Sequence, residues 1–522
     1  MKWYFRTCPI YLGSLSLLLF RMADYNYFWG KYLWAEDGKI FLNQSLELGF
    51  WAIFEPYAGY LHFYPRLVTE FSRLFDFLYR PTVLFLGWGL AYLVMIHSLE
   101  SLFRSPNRRL LAFPLIALAV FQPHYGEVFF NITNAHWLLG TALFIYVLNN
   151  SLSESITKYL VLFILSLTGP FSIILLLIYL IKLTIEKSWR SQLPTLSIVS
   201  IGASIQLITL LKSNRITTGT INNNPWDWIV AFLKLSFFGA NSIWTIAAAF
   251  AIWLCIYYLL SEHFFRKNLN SNIQTSVLLL LSALLLIAAG LYTCKHDPGA
   301  IVFLGGGNRY TWIPYVFIVV AAVLLSEGRK KITVALFILF GFICYANFHR
   351  VSSPNLQFES FAKFGKVQSV YIPISPQWPE FPGWHIALKP QDNSMVAPTM
   401  EIKLTGENVL LSNLKPTTSN GHLNLSAIGP SPYLVLGEKI LCDGNHVGVN
   451  IYLTRKNEGW MRLFWSETQE FDESQALRRW YPSGSIKAQF AFPMMKDGLF
   501  LRLDPLENTG DVSIEKIDVF CL

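Results

Sequence analysis

Two carboxylic acids stand side by side near the start of the chain, in the stretch WAEDGKIF at residues 34–41. Glu36 and Asp37 follow the first long apolar segment and lie between aromatic residues. Adjacent acids repel each other, which favours a carboxylate that can accept a proton near neutral pH. Such a carboxylate can act as a general base towards a hydroxyl group. A single isolated acid would most simply be a solvated surface residue. The pairing of the two acids and their position at the end of an apolar segment favour a catalytic role instead.

The composition predicts a membrane protein. Of the 522 residues, 53% are apolar and only 14% are charged. Several apolar runs reach about 18 residues or more, the length that a helix needs to cross a bilayer. The chain is therefore predicted to be a polytopic α-helical membrane protein with about 11 spans. The expected spans are 9–30, 82–103, 110–122, 136–149, 158–168, 170–184, 192–212, 242–260, 274–293, 311–326 and 332–349.

Lysine and arginine clusters fall on alternate sides of successive spans, and positively charged loops tend to stay in the cytoplasm. This pattern predicts a cytoplasmic N-terminus and an extracytoplasmic C-terminal part. The segments 158–168 and 170–184 are short, and Gly169-Pro170 between them could make them one re-entrant hairpin instead of two spans. No small-residue cleavage site follows the first span, which is therefore expected to be an uncleaved anchor.

The outer loops of this topology carry most of the polar side chains. Within residues 31–80, the stretch HFYPRLVTEFSRLFDFL has the apolar spacing of an amphipathic helix that lies in the membrane interface. The cytoplasmic loops are short and basic. The net charge of +8 is explained by these loops and gives no reason to expect a nucleic-acid partner.

An acidic pair in the first outer loop, followed by interfacial helices, resembles the C-fold (GT-C) membrane glycosyltransferases. The stretch AEDG…PYAGYLHFYPRL is similar to that of uncharacterised bacterial members, and the layout resembles the serotype-converting O-antigen glucosyltransferases. The resemblance implies an enzyme of the bacterial inner membrane. This enzyme would transfer a single sugar from a polyprenyl-phosphate carrier to an acceptor glycan or lipid-linked glycan outside the cytoplasm.

Under this resemblance, Asp37 is the first choice for the base that activates the acceptor hydroxyl. Glu36 is an alternate base, a carboxylate that holds the acceptor, or a metal ligand. One base without a covalent intermediate fits an inverting displacement, whereas glycosidases use two separated carboxyl groups. The leaving group would be a lipid phosphate, for which the outer-loop cations are candidates. These candidates are Arg309, Lys295 and Arg66.

Other side chains of the outer loops are candidates for binding the substrate. They are Tyr57, Tyr60, His62, His124, Glu127, Asn134, His136 and Tyr310. Two alternatives stay open, because the aromatic residues would also suit the head-group belt of the membrane and Arg309 could anchor that interface. The spacing of His124, Glu127 and His136 matches no helical metal-binding motif. No cofactor is therefore predicted, and a divalent metal is the less favoured alternative.

The pattern changes at about residue 351. VGVNIYL and GLFLRLDP alternate apolar and polar residues, and short strands between turn signals predict a β-sandwich over 351–522, after a transmembrane domain over 1–350. The closing stretch resembles jelly-roll modules of bacterial cell-surface glycosyltransferases, some of which look carbohydrate-binding. A structural sandwich without a ligand is equally consistent. Cys442 and Cys521 are predicted to form a disulfide, which an extracytoplasmic compartment permits.

A transporter or flippase of lipid-linked saccharide, with the C-terminal part as a surface docking domain, is the alternative function. Such a protein should show a repeated half and polar groups deep in several spans. The sequence has no clear internal repeat, and its polar residues collect in the outer loops. The enzyme is therefore the preferred hypothesis.

Overall fold

The computed structural model describes residues 4–23, 28–103, 109–149, 155–213, 220–265, 270–390, 396–405, 407–419 and 422–522. The chain divides into two compact units. The helical unit consists of Met1–Phe28, Leu48–Leu74 and Val83–Ser352, and the tail unit consists of Trp29–Glu47, Phe75–Thr82 and Ser353–Leu522. The last boundary lies close to residue 350, and two earlier segments, one of which carries the acidic pair, belong to the tail unit.

The helices build the helical unit, apart from Asn43–Leu48 and Phe358–Phe364, which belong mainly to the tail unit. In chain order they are α1 (Tyr4–Arg21), α2 (Asn43–Leu48), α3 (Phe63–Ser72), α4 (Arg80–Ser101), α5 (Arg109–Phe121), α6 (Ala135–Asn149), α7 (Ile156–Ser166), α8 (Phe171–Glu186), α9 (Leu193–Lys212), α10 (Pro225–Ser236), α11 (Ile243–Phe265), α12 (Ser271–Thr293), α13 (Trp312–Leu325), α14 (Lys330–Ala346) and α15 (Phe358–Phe364). Asp37–Leu42 forms a π-helical turn, and short 3₁₀ turns lie at Gly49–Phe54, Phe77–Tyr79, Pro298–Ala300, Asn308–Thr311 and Glu473–Gln475.

Several helices have the length and composition of membrane spans. Among the described residues, five are long and apolar enough to cross a bilayer: Phe77–Ser101, Leu193–Lys212, Ile243–Phe265, Ser271–Thr293 and Asn308–Leu325. Shorter apolar helices are Pro9–Arg21, Arg109–Phe121, Ala135–Asn149 and Ile156–Ser166. Each of the predicted segments contains a helix, but the count of eleven crossings stays a prediction.

The helices α6 and α13 form the interior of the helical unit. Every residue of Ala135–Leu148 and of Trp312–Leu325 is buried. Both helices are apolar around their whole circumference, which is typical of a helix surrounded by other helices. Phe144 and Phe317 bring the two into contact, with ring centroids 5.2 Å apart. The two loops that carry Glu127 and Arg309 lead directly into these helices.

The tail unit is built mainly from antiparallel strands. Its strands are β1 (Val370–Pro373), β2 (His385–Leu388), β3 (Met400–Ile402), β4 (Val409–Ser412), β5 (Leu414–Ser419), β6 (His422–Ala427), β7 (Tyr433–Leu436), β8 (His446–Arg455), β9 (Gly459–Ser466), β10 (Ala476–Tyr481), β11 (Gly484–Pro493), β12 (Phe500–Asp504) and β13 (Asp511–Cys521). β1 and β2 form a separate hairpin. The other strands form one sheet of order β10-β9-β12-β7-β4 and a second of order β11-β8-β13-β6-β5, with β3 paired to β13.

The two larger sheets pack against each other through side chains. Trp465 of β9 stacks on Phe492 of β11, with ring centroids 4.8 Å apart and the rings nearly parallel. The Tyr481 hydroxyl accepts a hydrogen bond from the Gln489 backbone N–H at 2.9 Å. The predicted change from helices to strands near residue 351 is confirmed for the coarse fold, while the jelly-roll resemblance stays a prediction.

A disulfide joins Cys442 to Cys521, the pair that the sequence predicts, with the two Cα atoms 5.4 Å apart. The two cysteines are 79 positions apart in the chain. Because Cys521 is the last residue of β13, the bond ties the end of the final strand to the segment that precedes β8.

Candidate functional site

Asp37 stabilises the start of the acid-bearing helical segment within the tail unit. Its carboxylate accepts a hydrogen bond from the Trp34 backbone N–H at 3.1 Å, and its own N–H donates to the Trp34 carbonyl at 2.7 Å. The bond from the Trp34 N–H to the Asp37 carboxylate is the one that the acid makes in a capping box, whereas Trp34 contributes its backbone carbonyl in place of a side-chain acceptor. Asp37 is only 2% exposed. One of its oxygens therefore has a structural role.

Glu36 is the more accessible of the two acids. Its side chain is half-buried, whereas that of Asp37 is buried. Neighbouring residues on a helix point about 100° apart, so the two carboxylates have different surroundings in spite of their adjacency. The preference for Asp37 as the base stays a prediction, and the exposure difference gives Glu36 an equal claim to that role.

In the helical unit, Tyr57 and Tyr60 lie at the two ends of a tight turn. Their backbones exchange hydrogen bonds of 3.1 and 3.2 Å. Ala58 and Gly59 between them have φ angles of 52° and 87°, as in a type I′ turn, where both central residues need positive φ. Glycine is suited to such a position because it has no Cβ. The local sequence therefore forms a tight turn that holds the two tyrosines next to each other.

Gln206 of α9 holds the backbone that follows this turn. Its carboxamide accepts from the Leu61 N–H at 2.9 Å and donates to the Leu61 carbonyl at 3.2 Å and the Leu167 carbonyl at 2.8 Å. Gln206 is fully buried, so it satisfies backbone groups that would otherwise be costly to bury. Gln206 is not among the residues predicted from the sequence, although a single amide within an apolar helix was the available signal.

Aromatic rings bring several predicted substrate residues together. Tyr60 stacks on His62 with ring centroids 4.5 Å apart, and His62 meets His136 edge-on at 5.1 Å. Tyr57 lies 5.7 Å from His62, measured between ring centroids. The His136 Nδ1 lies 2.6 Å from the Thr133 carbonyl, a contact in which the ring nitrogen donates. Tyr57, Tyr60, His62 and His136 therefore form one continuous cluster.

A cavity of about 260 Å³ lies beside this cluster, within the helical unit. Its lining includes Tyr60, Trp137, Phe171, Tyr292, Lys295 and Tyr310. The Trp137 ring contacts those of Phe171 and Tyr310, with centroids 5.0 and 5.4 Å away. Lys295 is only 6% exposed, and its Nζ lies 5.6 Å from the centre of the Tyr292 ring, within the range of a cation–π interaction. The lining is thus mostly aromatic and includes a cation.

Arg309 and Glu127 form an ion pair next to this cavity. The Arg309 backbone N–H also donates to the Glu127 carboxylate, at 3.3 Å. The Asn134 carboxamide donates to the Glu127 carbonyl at 2.8 Å, and the Arg309 guanidinium lies 5.2 Å from the centre of the Tyr310 ring. A guanidinium has five N–H donors, so pairing with a carboxylate is compatible with binding a phosphate.

Of the predicted site residues of the helical unit, Tyr60, Lys295 and Tyr310 line this cavity. Two of the others, His124 and Arg66, are held by contacts with neighbouring loops. His124 is fully buried, and its Nδ1 accepts the Gly126 N–H at 2.9 Å. Burial, with a smaller contribution from the charge of Arg21, holds the pKa of His124 well below its usual value. Arg66 is also buried and donates to the Ala52 carbonyl at 2.8 Å. The contacts described here give both side chains a role in stabilising loops.

Within the described ranges, no group of three or more histidine, cysteine, aspartate or glutamate side chains could hold a metal ion. Phe171, which follows the Gly169-Pro170 turn, lines the cavity but was not predicted from the sequence as a site residue. Gly169 has a φ of 85°, and a Cβ there would lie 3.0 Å from the Phe171 ring and 3.2 Å from His136. The Gly-Pro pair between two apolar segments was the signal for this close approach.

Comparisons with known proteins assign no family to the chain. No protein-family model matches it, and no curated protein matches it. Among solved structures, the chain is similar to one titled "BiXyn10A CBM1 APO", at 11% sequence identity and a TM-score of 0.20. This similarity covers 24% of the present chain and 100% of the other. A similarity with so low a TM-score supports no conclusion about fold or function.

Proposed function

We propose that the chain is an integral membrane glycosyltransferase of the GT-C type. It transfers a single sugar from a polyprenyl-phosphate carrier to an extracytoplasmic acceptor glycan or lipid-linked glycan. The observation that carries this proposal is the aromatic cavity of the helical unit, with Lys295 in its lining and the Arg309–Glu127 pair beside Tyr310.

The chemistry of the cavity suits the parts of such a donor. Aromatic faces such as those of Tyr60 and Trp137 can pack against a sugar ring or the first isoprene units. Lysine and arginine suit the phosphate, arginine through its planar donor fork. Lys295 is buried in the lining of the cavity, so the site offers a cation as well as apolar surface, as a donor with a phosphate and a lipid chain requires.

In the proposed reaction, the acceptor hydroxyl oxygen attacks the anomeric carbon of the donor sugar. The bond between this carbon and the phosphate oxygen breaks, and its electron pair leaves with the polyprenyl phosphate. The hydroxyl proton passes to a carboxylate, which Asp37 or Glu36 supplies as the general base. Lys295 and Arg309 stabilise the charge of the departing phosphate. Direct displacement inverts the configuration at the anomeric carbon.

The proposed setting is the bacterial inner membrane, with the N-terminus in the cytoplasm and the tail unit outside. The disulfide between Cys442 and Cys521 supports this orientation, because such bonds persist in oxidising compartments. A reporter that works only outside the cytoplasm should be active when fused after residue 350. Activity only for fusions after residues 105 or 330 would contradict the orientation.

The function is tested by incubating membranes that contain the chain with a panel of polyprenyl-phosphate-linked hexoses. One labelled sugar should leave the lipid fraction and enter glycan only when the chain is present. Lys295→Ala should raise the KM for the donor by roughly 10–100-fold, the loss expected for a hydrogen bond to a charged group. Lys234, an exposed lysine of the same unit, provides the control. Movement of intact donor across the membrane without transfer would favour the flippase.

A further inference from the structure

Within the tail unit, the hairpin β1–β2 and its connecting loop hold the acid-bearing segment. The Ala35 N–H donates to the Ser375 carbonyl at 2.5 Å, and the Ser375 N–H donates to the Leu33 carbonyl at 3.1 Å. These bonds form a parallel bridge between Trp34 and Ser375. The residue immediately before Glu36 is therefore fixed by its backbone to the loop of the hairpin.

Asn43 holds the other end of the same segment. Its Oδ1 accepts the Ala387 N–H at 3.1 Å, while its Nδ2 donates to the Lys39 carbonyl at 3.2 Å and makes a longer contact of 3.5 Å with the His385 carbonyl. Ala387 and His385 belong to β2. The carboxamide thus pairs with backbone groups of the strand much as a neighbouring strand would.

Gly38 allows the segment to lie directly on the hairpin side chains. A Cβ at this position would be 2.5 Å from Ile374 Cδ1 and 2.7 Å from Ile386 Cγ1, closer than real Cβ contacts. Both isoleucines are buried. Lys39 adds a contact on the same side, with its Nζ 5.1 Å from the centre of the Trp384 ring. Backbone bonds, close packing and a cation–π contact therefore act together on the residues around the acidic pair.

We propose that the hairpin β1–β2 is a positioning element for Glu36 and Asp37, with Asn43 as its principal positioning residue. This inference rests on the proposed function, in which the pair supplies the general base. A base must lie within hydrogen-bond reach of the proton that it takes, and a misplacement of about 1 Å can lower the rate by about 10²-fold. Under this inference the tail belongs to the catalytic machinery and is more than a docking module.

The test replaces Asn43 by alanine in the full-length chain and measures transfer in membranes. We expect kcat to fall by roughly 10–100-fold while the KM for the donor lipid stays the same, because the substitution displaces the base without altering donor binding. Gly38→Ala should act in the same direction through crowding against Ile374 and Ile386. Asn408→Ala is the matched control, since Asn408 makes similar bonds to the Thr405 N–H and the Lys403 carbonyl elsewhere in the tail unit.

Hydrogen exchange measured by mass spectrometry provides a readout that does not need activity. In Asn43→Ala, peptides that cover residues 33–43 and 384–390 should exchange faster than in the wild type, and those of β8 should be unchanged. Faster exchange together with the loss of kcat supports the inference. Unchanged exchange, or faster exchange with normal kcat, overturns it. A wild-type chain that transfers no sugar would instead refute the proposed function, and the catalytic role of the hairpin with it.

Discussion

The cavity of the helical unit and the acidic segment of the tail unit are built in different ways. The cavity is lined by side chains from distant parts of the chain, such as Tyr60, Trp137 and Tyr310. The rings of Trp137 and Tyr310 are in contact, and His136 contacts the rings of both Tyr60 and Trp137. The acidic segment is one continuous stretch, fixed by backbone hydrogen bonds and by the carboxamide of Asn43. The surface of the cavity therefore depends on the packing of many helices. The directions of the carboxylates in the acidic segment depend on a few local bonds.

The acidic pair should give the largest effect. Asp37→Asn keeps an oxygen that can accept the Trp34 N–H but removes the proton acceptor, and Glu36→Gln does the same at the neighbouring position. Loss of a general base typically lowers the rate by about 10²–10⁴-fold, so the variant of the true base should lose transfer by that factor in a membrane assay. Glu47→Gln, at an exposed acid of the same segment, should change transfer only slightly.

Comparison with Asp37→Ala separates the two roles of Asp37. Alanine removes the capping bond as well, which should lower the free energy of unfolding by a further ~0.5–2 kcal/mol. If Asp37→Asn and Glu36→Gln each kept nearly normal transfer, the pair would not supply the base, and the structural role of Asp37 alone would remain.

The disulfide gives the next largest expected effect, confined to the tail unit. Replacing Cys442 and Cys521 with serine should lower the free energy of unfolding of that unit by about 2–5 kcal/mol, because the bond closes a long loop in the unfolded chain. Denaturant unfolding followed by tryptophan fluorescence measures this change. Cys255→Ser, at a cysteine outside the bond, should leave the midpoint unchanged. Thiol labelling of both Cys442 and Cys521 in unreduced protein would show that the bond does not form.

The ion pair beside the cavity should have an intermediate effect. Arg309→Ala leaves the Glu127 carboxylate without its guanidinium partner, which should cost about 1–3 kcal/mol. The side chains are 34% and 10% exposed, so solvent reduces this below the cost of breaking a fully buried pair. The double variant Arg309→Ala/Glu127→Ala should be less destabilised than the sum of the single variants, as measured by thermal unfolding. Strict additivity would show that the pair is not coupled.

Gln206→Leu should give the smallest effect, and it tests how the cavity is supported. The variant loses the bonds to the backbones of Leu61 and Leu167, which should cost roughly 0.6–2 kcal/mol for polar contacts between apolar helices. It should also raise the KM for the donor, because the turn that carries Tyr60 is less well held. Thr209→Val removes a hydroxyl group that donates to the Ile205 carbonyl within the same helix, and it should leave that KM unchanged.

The sequence predicted the helices, the strands and many of the residues around the cavity, because these features have local signals. Apolar runs indicated the helices, alternation in VGVNIYL indicated β8, and polar side chains in the predicted outer loops indicated Tyr60, Arg309 and Glu127. Contacts between distant residues had no such signal. The ion pair joins residues 182 positions apart, and only the fold shows that the two candidates bind each other.

The assignment of the acidic segment to the tail unit was also beyond the sequence. Asn43 contacts a carbonyl 342 positions further along the chain, and the bonds of Leu33 and Ala35 to Ser375 involve backbone atoms that every residue has. Gly38 in WAEDGKIF was a visible feature, but its reason, close packing on Ile374 and Ile386, depends on the tertiary structure. Burial of Asp37 in a capping interaction was likewise missed, although an acid three residues after Trp34 at a helix start was the available signal.

Mass spectrometry of the lipid and glycan fractions from cells tests the central proposal most directly. Cells with the wild-type chain should carry one additional hexose on an envelope glycan or lipid-linked glycan. Cells without the chain, and cells that express equal amounts of Glu36→Gln/Asp37→Asn, should lack that hexose and accumulate the polyprenyl-phosphate-linked sugar. Identical glycans in all three strains, or full modification by the double variant, would contradict the account of this chain as a glycosyltransferase with an acidic base.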